Sequence, residues 1–400
     1  MTTESALVEA GQSYLYPNYR QPPFVFVRGE GSSLFDASGK RYLDLYAGIA
    51  VSTLGHAHPK LTAAIAAQAG KLLHLSNYFY NEPNIRLAEK LCRLTEMDRA
   101  FFCNSGTEAI EATLKLARRH FYVQGQPERQ RVIAFRNSFH GRTLGALAAT
   151  GQDKYKDGFG PLPGVTHVDF GNLDAVRAAM GPDVAGVLVE PVQGEGGVLP
   201  APPGFLRELR ALTSSAGALL LADEVQTGIG RTGKFLAFQH DAVAPDVVAL
   251  AKALGGGVPI GAMVCKKFLQ EALPPGSHGS TFGGNPLASA AALAVLDVLE
   301  NDGLMAQVNQ RGEELSQLLS KTASRFPKLV ECTRGRGLLQ ALVLREGVDA
   351  RKVMISLQES GVLLTIAGGQ ALRFSPPLIV SRAELEEGVT LLERVLAAYA

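Results

Sequence analysis

The sequence predicts an α/β protein with a mostly parallel central sheet and a smaller α+β unit after it. Two patterns predict this. Short apolar runs alternate with helix-like segments through the middle of the chain, and those runs lack polar/apolar alternation, as suits strands covered on both faces. After about residue 286 the rhythm changes to longer helical patterns separated by two short apolar runs.

The expected buried strands are Arg131–Phe135, Val184–Val189, Ala218–Ala222, Val247–Leu250 and Ile260–Cys265, with segments such as Pro203–Ser215 able to form helices between them. Leu287–Leu299 is apolar nearly all round and reads as a buried helix. A more amphipathic helix follows, carrying Leu304, Val308, Leu315 and Leu319. Leu338–Leu344 and Leu372–Phe374 read as strands of the second unit. Ser381 and Glu384 match a capping box, and Leu385, Val389, Leu392 and Leu396 share one face of the last helix.

Composition narrows the function classes. The 400 residues are 46% hydrophobic and 19% charged, with a formal net charge of +1 and no block of like charges. Nucleic acid and anionic membrane surfaces are therefore not expected partners. Cys92, Cys103, Cys265 and Cys332 form no C-x-x-C pair, a pattern of free thiols in a reducing compartment. No apolar run is long enough to cross a bilayer, and the N-terminus lacks a targeting pattern, so a cytoplasmic location is expected.

Ligands of open α/β sheets bind beyond the carboxyl ends of the strands, so the residues after each apolar run carry the chemistry. Four endings stand out: Asn104-Ser105-Gly106-Thr107-Glu108, Glu190–Glu195, Asp223-Glu224-Val225-Gln226, and Ala251-Lys252. Ser105 and Glu108 match a capping box, and the helix N-terminus they open can hold a phosphate or simply be a capped helix. Asp223 follows Leu219–Ala222, where an acid needs a partner: a pyridinium nitrogen or a structural cation. Lys252 ends Val247–Ala251 and precedes Gly255-Gly256-Gly257; a lysine in a dry site becomes nucleophilic, whereas one before an open turn stays solvated.

Two patterns mislead. Gly228-Ile229-Gly230-Arg231-Thr232-Gly233 matches G-x-G-x-x-G, but it neither follows a strand directly nor opens a clear helix, so dinucleotide binding is not expected. His56 and His58 lack an evident third ligand, and no metal is expected.

NSGTEA, SFHGRT, EPVQGEGG, LLLADEVQTGIGRTG, ALAKALGGG and GSHGSTFGGNPLA occur in this order and resemble the segments of class III pyridoxal-5′-phosphate (PLP) aminotransferases, with similarity over essentially the whole chain. The resemblance implies the PLP-dependent transferase fold of type I. It implies an N-terminal segment (1–55) packing with the small domain, a large PLP-binding domain (56–300) and a C-terminal small domain (301–400). It also implies a homodimer with shared active sites.

Lys252 would hold PLP as a Schiff base and shuttle the transferred proton, and Asp223 would pair with the pyridine nitrogen. Gln226 would lie near the phenolic oxygen, with Val225 and Phe139 on opposite ring faces. Ser105, Gly106 and Thr107 would hold the phosphate; Ser280 and Thr281 would reach the site from the partner subunit, Ser280 at the substrate and Thr281 at the phosphate. Arg142, assisted by Tyr19, would bind the distal carboxylate. Arg373 would bind the carboxylate beside the ketone, and Glu195 would silence Arg373 in the donor half-reaction.

The resemblance is strongest to the branch acting on acetylornithine. It implies transfer of the δ-amino group of N2-acetyl-L-ornithine to 2-oxoglutarate, as in arginine biosynthesis. Leu364–Gly369, just before Arg373, departs from that branch's pattern. The rivals are a sister transaminase acting on ornithine, succinylornithine, 4-aminobutyrate or succinyl-diaminopimelate, and a PLP decarboxylase or aminomutase. A non-catalytic binding protein is disfavoured because Lys252 and Asp223 are both present.

Overall fold

A computed structural model describes residues 4–399. Near the N-terminus, β1 (Phe26–Glu30), β2 (Ser33–Asp36) and β3 (Arg41–Asp44) form an antiparallel ladder. The edge of β3 pairs in parallel with β13 (Val362–Leu363), so the chain's beginning is tied to its C-terminal region.

The large sheet holds β4 (Arg99–Cys103), β5 (Arg131–Phe135), β6 (Val165–Val168), β7 (Val184–Val189), β8 (Leu219–Asp223), β9 (Val247–Leu250) and β10 (Gly261–Cys265). Their spatial order is β4-β10-β9-β8-β7-β5-β6. Only β10 runs antiparallel to its neighbours. Strands β7 to β10 are buried along their whole length, as expected for unbroken apolar runs. Alternate residues of β8 feed different layers: Leu220 and Ala222 join the larger core, while Leu219 and Leu221 pack with Ile110 and Leu114 of the helix Gly106–Val123. Each such leucine contributes roughly 1.5–3 kcal/mol by leaving water.

The five strands expected in the large sheet are present, two of them with ends moved by one residue. The run from Ala218 begins at Leu219 and extends through Asp223, and the run from Ile260 begins at Gly261. The helix Phe205–Ser215 lies between β7 and β8, and Pro286–Asn301 is a helix with ten buried residues. The C-terminal sheet is antiparallel, in the order β11 (Val330–Arg336), β12 (Leu339–Leu344), β15 (Ala371–Phe374), β14 (Thr365–Ala367). The helices Leu304–Arg325 and Arg382–Ala397 pack on each other, and the second carries the expected Ser381–Glu384 capping box.

Parallel alignment sets the site. Asp223 sits level with Ala249 of β9, so the chain leaving β9 brings Lys252 alongside it. Gly261, at the start of β10, is level with Cys103 at the end of β4, so residues 257–260 face the turn at Ser105.

The misleading motifs have structural roles. Residues 228–233 form a buried turn in which Arg231 donates to the carbonyls of Leu338 and Pro376, joining the large sheet's surroundings to the C-terminal unit. His56 Nε2 lies 2.7 Å from Asp44 Oδ2, and His58 precedes the helix Pro59–Ala69 as its N-cap residue.

Candidate active site

A cavity of about 380 Å³ opens beyond the carboxyl ends of β4, β5, β7, β8 and β9. Its lining includes Ser105, Gly106, Thr107, Phe139, Arg142, Asp223, Val225, Gln226 and Lys252.

Lys252 is partly buried at the cavity wall and its backbone is left-handed, with φ of +37°. Such a conformation in a non-glycine residue costs on the order of 1 kcal/mol and persists only where the surrounding packing enforces it. Burial holds its ammonium pKa below the ordinary 10.5, and nearby Arg373 adds to this; Glu195, Asp223 and Glu190 pull the other way. The result is an amine held ready to act as a nucleophile or base.

Asp223 is 4% exposed, and its Oδ2 lies 2.7 Å from Nδ1 of the buried His140. Its other oxygen accepts from the Val225 amide at 3.0 Å. Glu190 is also buried, and its Oε2 accepts from the Phe139 amide at 3.0 Å. Burial, together with the neighbouring Asp223 charge, pushes the Glu190 carboxyl well above its ordinary value. Neither His140 nor Glu190 was assigned a role from sequence. The signals were adjacent to the motifs: His140 follows Phe139, and Glu190 opens EPVQGEGG.

The helix Gly106–Val123 begins at the cavity. Ser105 caps it by accepting from the Glu108 amide at 3.3 Å, and the Glu108 carboxylate accepts from the Asn104 amide at 3.0 Å. The turn is a capped helix start, and Gly106 and Thr107 of its first turn line the cavity. A Cβ on Gly106 would stand 2.7 Å from Val225 Cγ1, so only glycine lets this backbone approach so closely. Thr107 Oγ1 accepts from the amides of Arg142 and Thr143, each at 3.2 Å, which ties this turn to the arginine loop.

Arg373 is 1% exposed and forms an ion pair with Glu195. It also donates to Gln226 Oε1 at 3.2 Å and Thr365 Oγ1 at 3.1 Å. Gln226 Nε2 in turn donates to Glu195 at 3.3 Å. Burial raises the Glu195 carboxyl, but the Arg373 and Lys252 charges outweigh it and hold the group below its ordinary range. Arg142 is exposed at the cavity's edge, over the Tyr155 ring.

Five expected residues do not line this cavity within the single chain: Glu195 and Arg373, which meet it through Gln226, and Tyr19, Ser280 and Thr281. Tyr19 is 77% exposed and lies outside it. Thr281 is exposed, and Ser280 lies behind the turn, where its hydroxyl accepts from Asn104 Nδ2 at 3.3 Å and the Gly283 amide at 3.0 Å. Sequence resemblance had assigned Ser280 and Thr281 to a partner's site.

These residues suit a flat anionic cofactor with a basic ring nitrogen. The cavity brings together the buried carboxylate of Asp223, the helix start at Gly106 and Thr107, the side chains of Phe139 and Val225, and the amine of Lys252. Fold and site define an α/β protein whose cavity, beyond the carboxyl ends of the central strands, sets a lysine among buried acids.

The particular family follows from comparison with known proteins. The Aminotransferase class-III profile matches residues 14–396. The chain is 50% identical to the acetylornithine aminotransferase of Myxococcus xanthus, covering 96% of both chains. It is 48% identical to that of Gloeobacter violaceus over 97% of both. Among solved structures, the ornithine aminotransferase of Toxoplasma gondii ME49 superposes with a TM-score of 0.96 at 34% identity, covering 100% of this chain and 96% of that one. The N-acetylornithine aminotransferase of Stenotrophomonas maltophilia K279a gives 0.85 at 38% identity, covering 98% and 99%. This chain belongs to the class-III aminotransferases.

Proposed function

We propose that this enzyme transfers the δ-amino group of N2-acetyl-L-ornithine to 2-oxoglutarate, with PLP as cofactor, giving N-acetyl-L-glutamate 5-semialdehyde and L-glutamate. The observation that carries the reading is the convergence of Lys252, Asp223, Phe139 and the Gly106–Thr107 turn on one cavity, with the Glu195–Arg373 pair beside it. The acetylornithine aminotransferases among its relatives support the choice of donor.

PLP, when bound, supplies an electron sink for the carbon that gains or loses a proton. Lys252 Nζ carries that proton between the two reacting carbons. Asp223 keeps the ring nitrogen protonated, and His140 orients Asp223. Phe139 and Val225 hold the ring flat, while Gly106 and Thr107 hold the phosphate, with Ser105 fixing the turn. Arg142 binds the carboxylate remote from the reacting nitrogen, because its planar fork pairs with two oxygens at once. Glu195 neutralises Arg373 while the donor is bound. When 2-oxoglutarate arrives, its carboxylate replaces Glu195 on Arg373. Gln226, which touches both partners of that pair, steadies the exchange beside the ring.

A homodimer completes the reading. Ser280 and Thr281 then serve the site of the neighbouring copy, Thr281 at the phosphate, while Tyr19 assists Arg142 at the substrate carboxylate. The chain divides into an N-terminal segment (1–55), a cofactor domain (56–300) and a small domain (301–400). Four free cysteines fit a cytoplasmic enzyme, and no helix among the described residues is long and apolar enough to cross a membrane.

The test is a half-reaction titration. The PLP-loaded enzyme is mixed separately with N2-acetylornithine, ornithine, succinylornithine and 4-aminobutyrate without an acceptor, and cofactor absorption is followed. Conversion at the lowest concentration by N2-acetylornithine is expected. A better amine would move the assignment to a sister transaminase. No absorption change with any amine would remove the transaminase reading.

A further inference from the structure

We infer that Tyr155 is a positioning residue for substrate carboxylates: its ring is the platform that holds Arg142 in orientation while leaving the guanidinium's donors free. The inference deepens the reading above and rests on Arg142 being the carboxylate ligand.

The guanidinium carbon of Arg142 lies 3.9 Å from the centroid of the Tyr155 ring and 5.5 Å from that of Phe139. The two rings meet edge to face, with centroids 5.8 Å apart and planes at 86°. Among the described residues, the Arg142 side chain makes no ion pair and no hydrogen bond; only its backbone amide is engaged, by Thr107. A long, exposed arginine without partners would ordinarily sample many rotamers, and ordering it on binding would subtract from affinity. Stacking on an aromatic face restrains the guanidinium through its π surface and leaves its in-plane N–H groups available. An acidic partner would do the opposite: it would orient the group but occupy the donors that the substrate needs. Glu195 does this to Arg373, so the site holds two arginines by contrasting means.

Tyr155 is itself fixed. It is half-buried, ends the short turn Asp153–Tyr155, and abuts Phe139, whose amide is held by Glu190. Lys154 Nζ also stands 4.8 Å from the Tyr155 ring centroid, so this ring carries two cations. Its hydroxyl has no hydrogen-bond partner among the described residues, so the ring and not the hydroxyl carries the role.

The experiment measures KM and kcat for the PLP-loaded wild type and for Tyr155→Ala, Tyr155→Phe, Arg142→Ala and the Tyr155→Ala/Arg142→Ala double variant. Donors are N2-acetylornithine and N-acetyl-1,4-diaminobutane, the same amine without its carboxylate. Tyr155→Ala is expected to raise KM for N2-acetylornithine and for 2-oxoglutarate about two- to fivefold, as loss of a cation–π contact at an exposed arginine implies. Its kcat and cofactor absorption should stay near wild type. Tyr155→Phe should behave as wild type, the carboxylate-free amine should be handled unchanged, and Tyr155→Ala should have no further effect once Arg142 is gone.

If Arg142→Ala raises KM and Tyr155→Ala does not, Tyr155 has no positioning role and the reading of Arg142 stands. An equal rise for the carboxylate-free amine would likewise overturn the inference, as a general loss of cavity shape. An unchanged KM in Arg142→Ala would overturn the carboxylate reading itself, and the inference with it.

Discussion

His140 and Asp223 are joined by a 2.7 Å contact between Nδ1 and Oδ2, with both side chains buried. Among the described residues His140 Nε2 has no hydrogen-bond partner, so Asp223 is the one group there that hydrogen-bonds the imidazole. Asp223→Asn should lower kcat by roughly 100- to 1,000-fold, the usual loss when a charge that stabilises the transition state is removed. His140→Ala should lower it less, because the carboxylate remains and only its aim is lost. Steady-state kinetics at saturating substrate and cofactor check both. Unchanged turnover in Asp223→Asn would show that the ring nitrogen is not served by this carboxylate.

Lys252 gives a pH prediction with a definite sign. Burial holds its amine below the ordinary 10.5, so the neutral, nucleophilic form is populated at lower pH than in a solvated lysine. Covalent capture of PLP by the apoenzyme should therefore rise with pH along a limb centred below that value. Stopped-flow absorption between pH 6 and 11, roughly the range spanning reference lysine titration, follows this directly. Borohydride reduction followed by mass spectrometry should add one cofactor to wild type and none to Lys252→Ala. A limb at the solvated-lysine position would mean that the site admits water to this amine.

The site was legible where charge interrupts apolar runs. Asp223 after Leu219–Ala222, and Lys252 after Val247–Ala251, stand out because an ionised group at the end of a buried strand needs a reason. His140 and Tyr155 carried no such signal: both lie in irregular or single-turn segments, where no periodicity says which way a side chain points. The same logic explains the missed strands. β4 and β6 are the two edges of the large sheet, are partly exposed, and include Arg99 and His167, so they lack the unbroken apolar signature of the central strands. The contrast of a paired Arg373 with an unpaired Arg142 is a tertiary fact, since Glu195 and Arg373 are 178 residues apart in sequence.

Glu224 predicts a pH-dependent stability unrelated to catalysis. It is fully buried, accepts from the Thr227 hydroxyl and from the Phe238 amide at 3.0 Å, and burial pushes its carboxyl up to about 7 from 4.5. The folded chain therefore holds this proton more tightly than the unfolded chain. Below pH 4.5 the two states bind it alike. Between 4.5 and about 7 stability falls as pH rises, and above that window the full penalty, about 3 kcal/mol by linkage, is present. Glu224→Gln cannot ionise and should lose that slope, so its Tm relative to wild type should climb from pH 5 to pH 8. Parallel Tm profiles across that range would place the titration elsewhere.

Glu195 and Arg373 supply the prediction most specific to two-substrate chemistry. The pair leaves Arg373 neutralised, and Gln226 and Thr365 would still hold the guanidinium if the carboxylate were removed. In Glu195→Gln the arginine should be open to carboxylates at all times. The half-reaction with L-glutamate, whose carboxylate adjoins the reacting nitrogen, should then gain in kcat/KM. The half-reaction with N2-acetylornithine should lose about tenfold, because an unneutralised cation faces the apolar chain of the donor and about 1.4 kcal/mol of mismatch is a factor of ten. Single-turnover absorption traces with each amine separate the two effects. If both half-reactions fall together, Glu195 supports the shape of the site and does not gate it, because only a gate affects the two substrates in opposite directions.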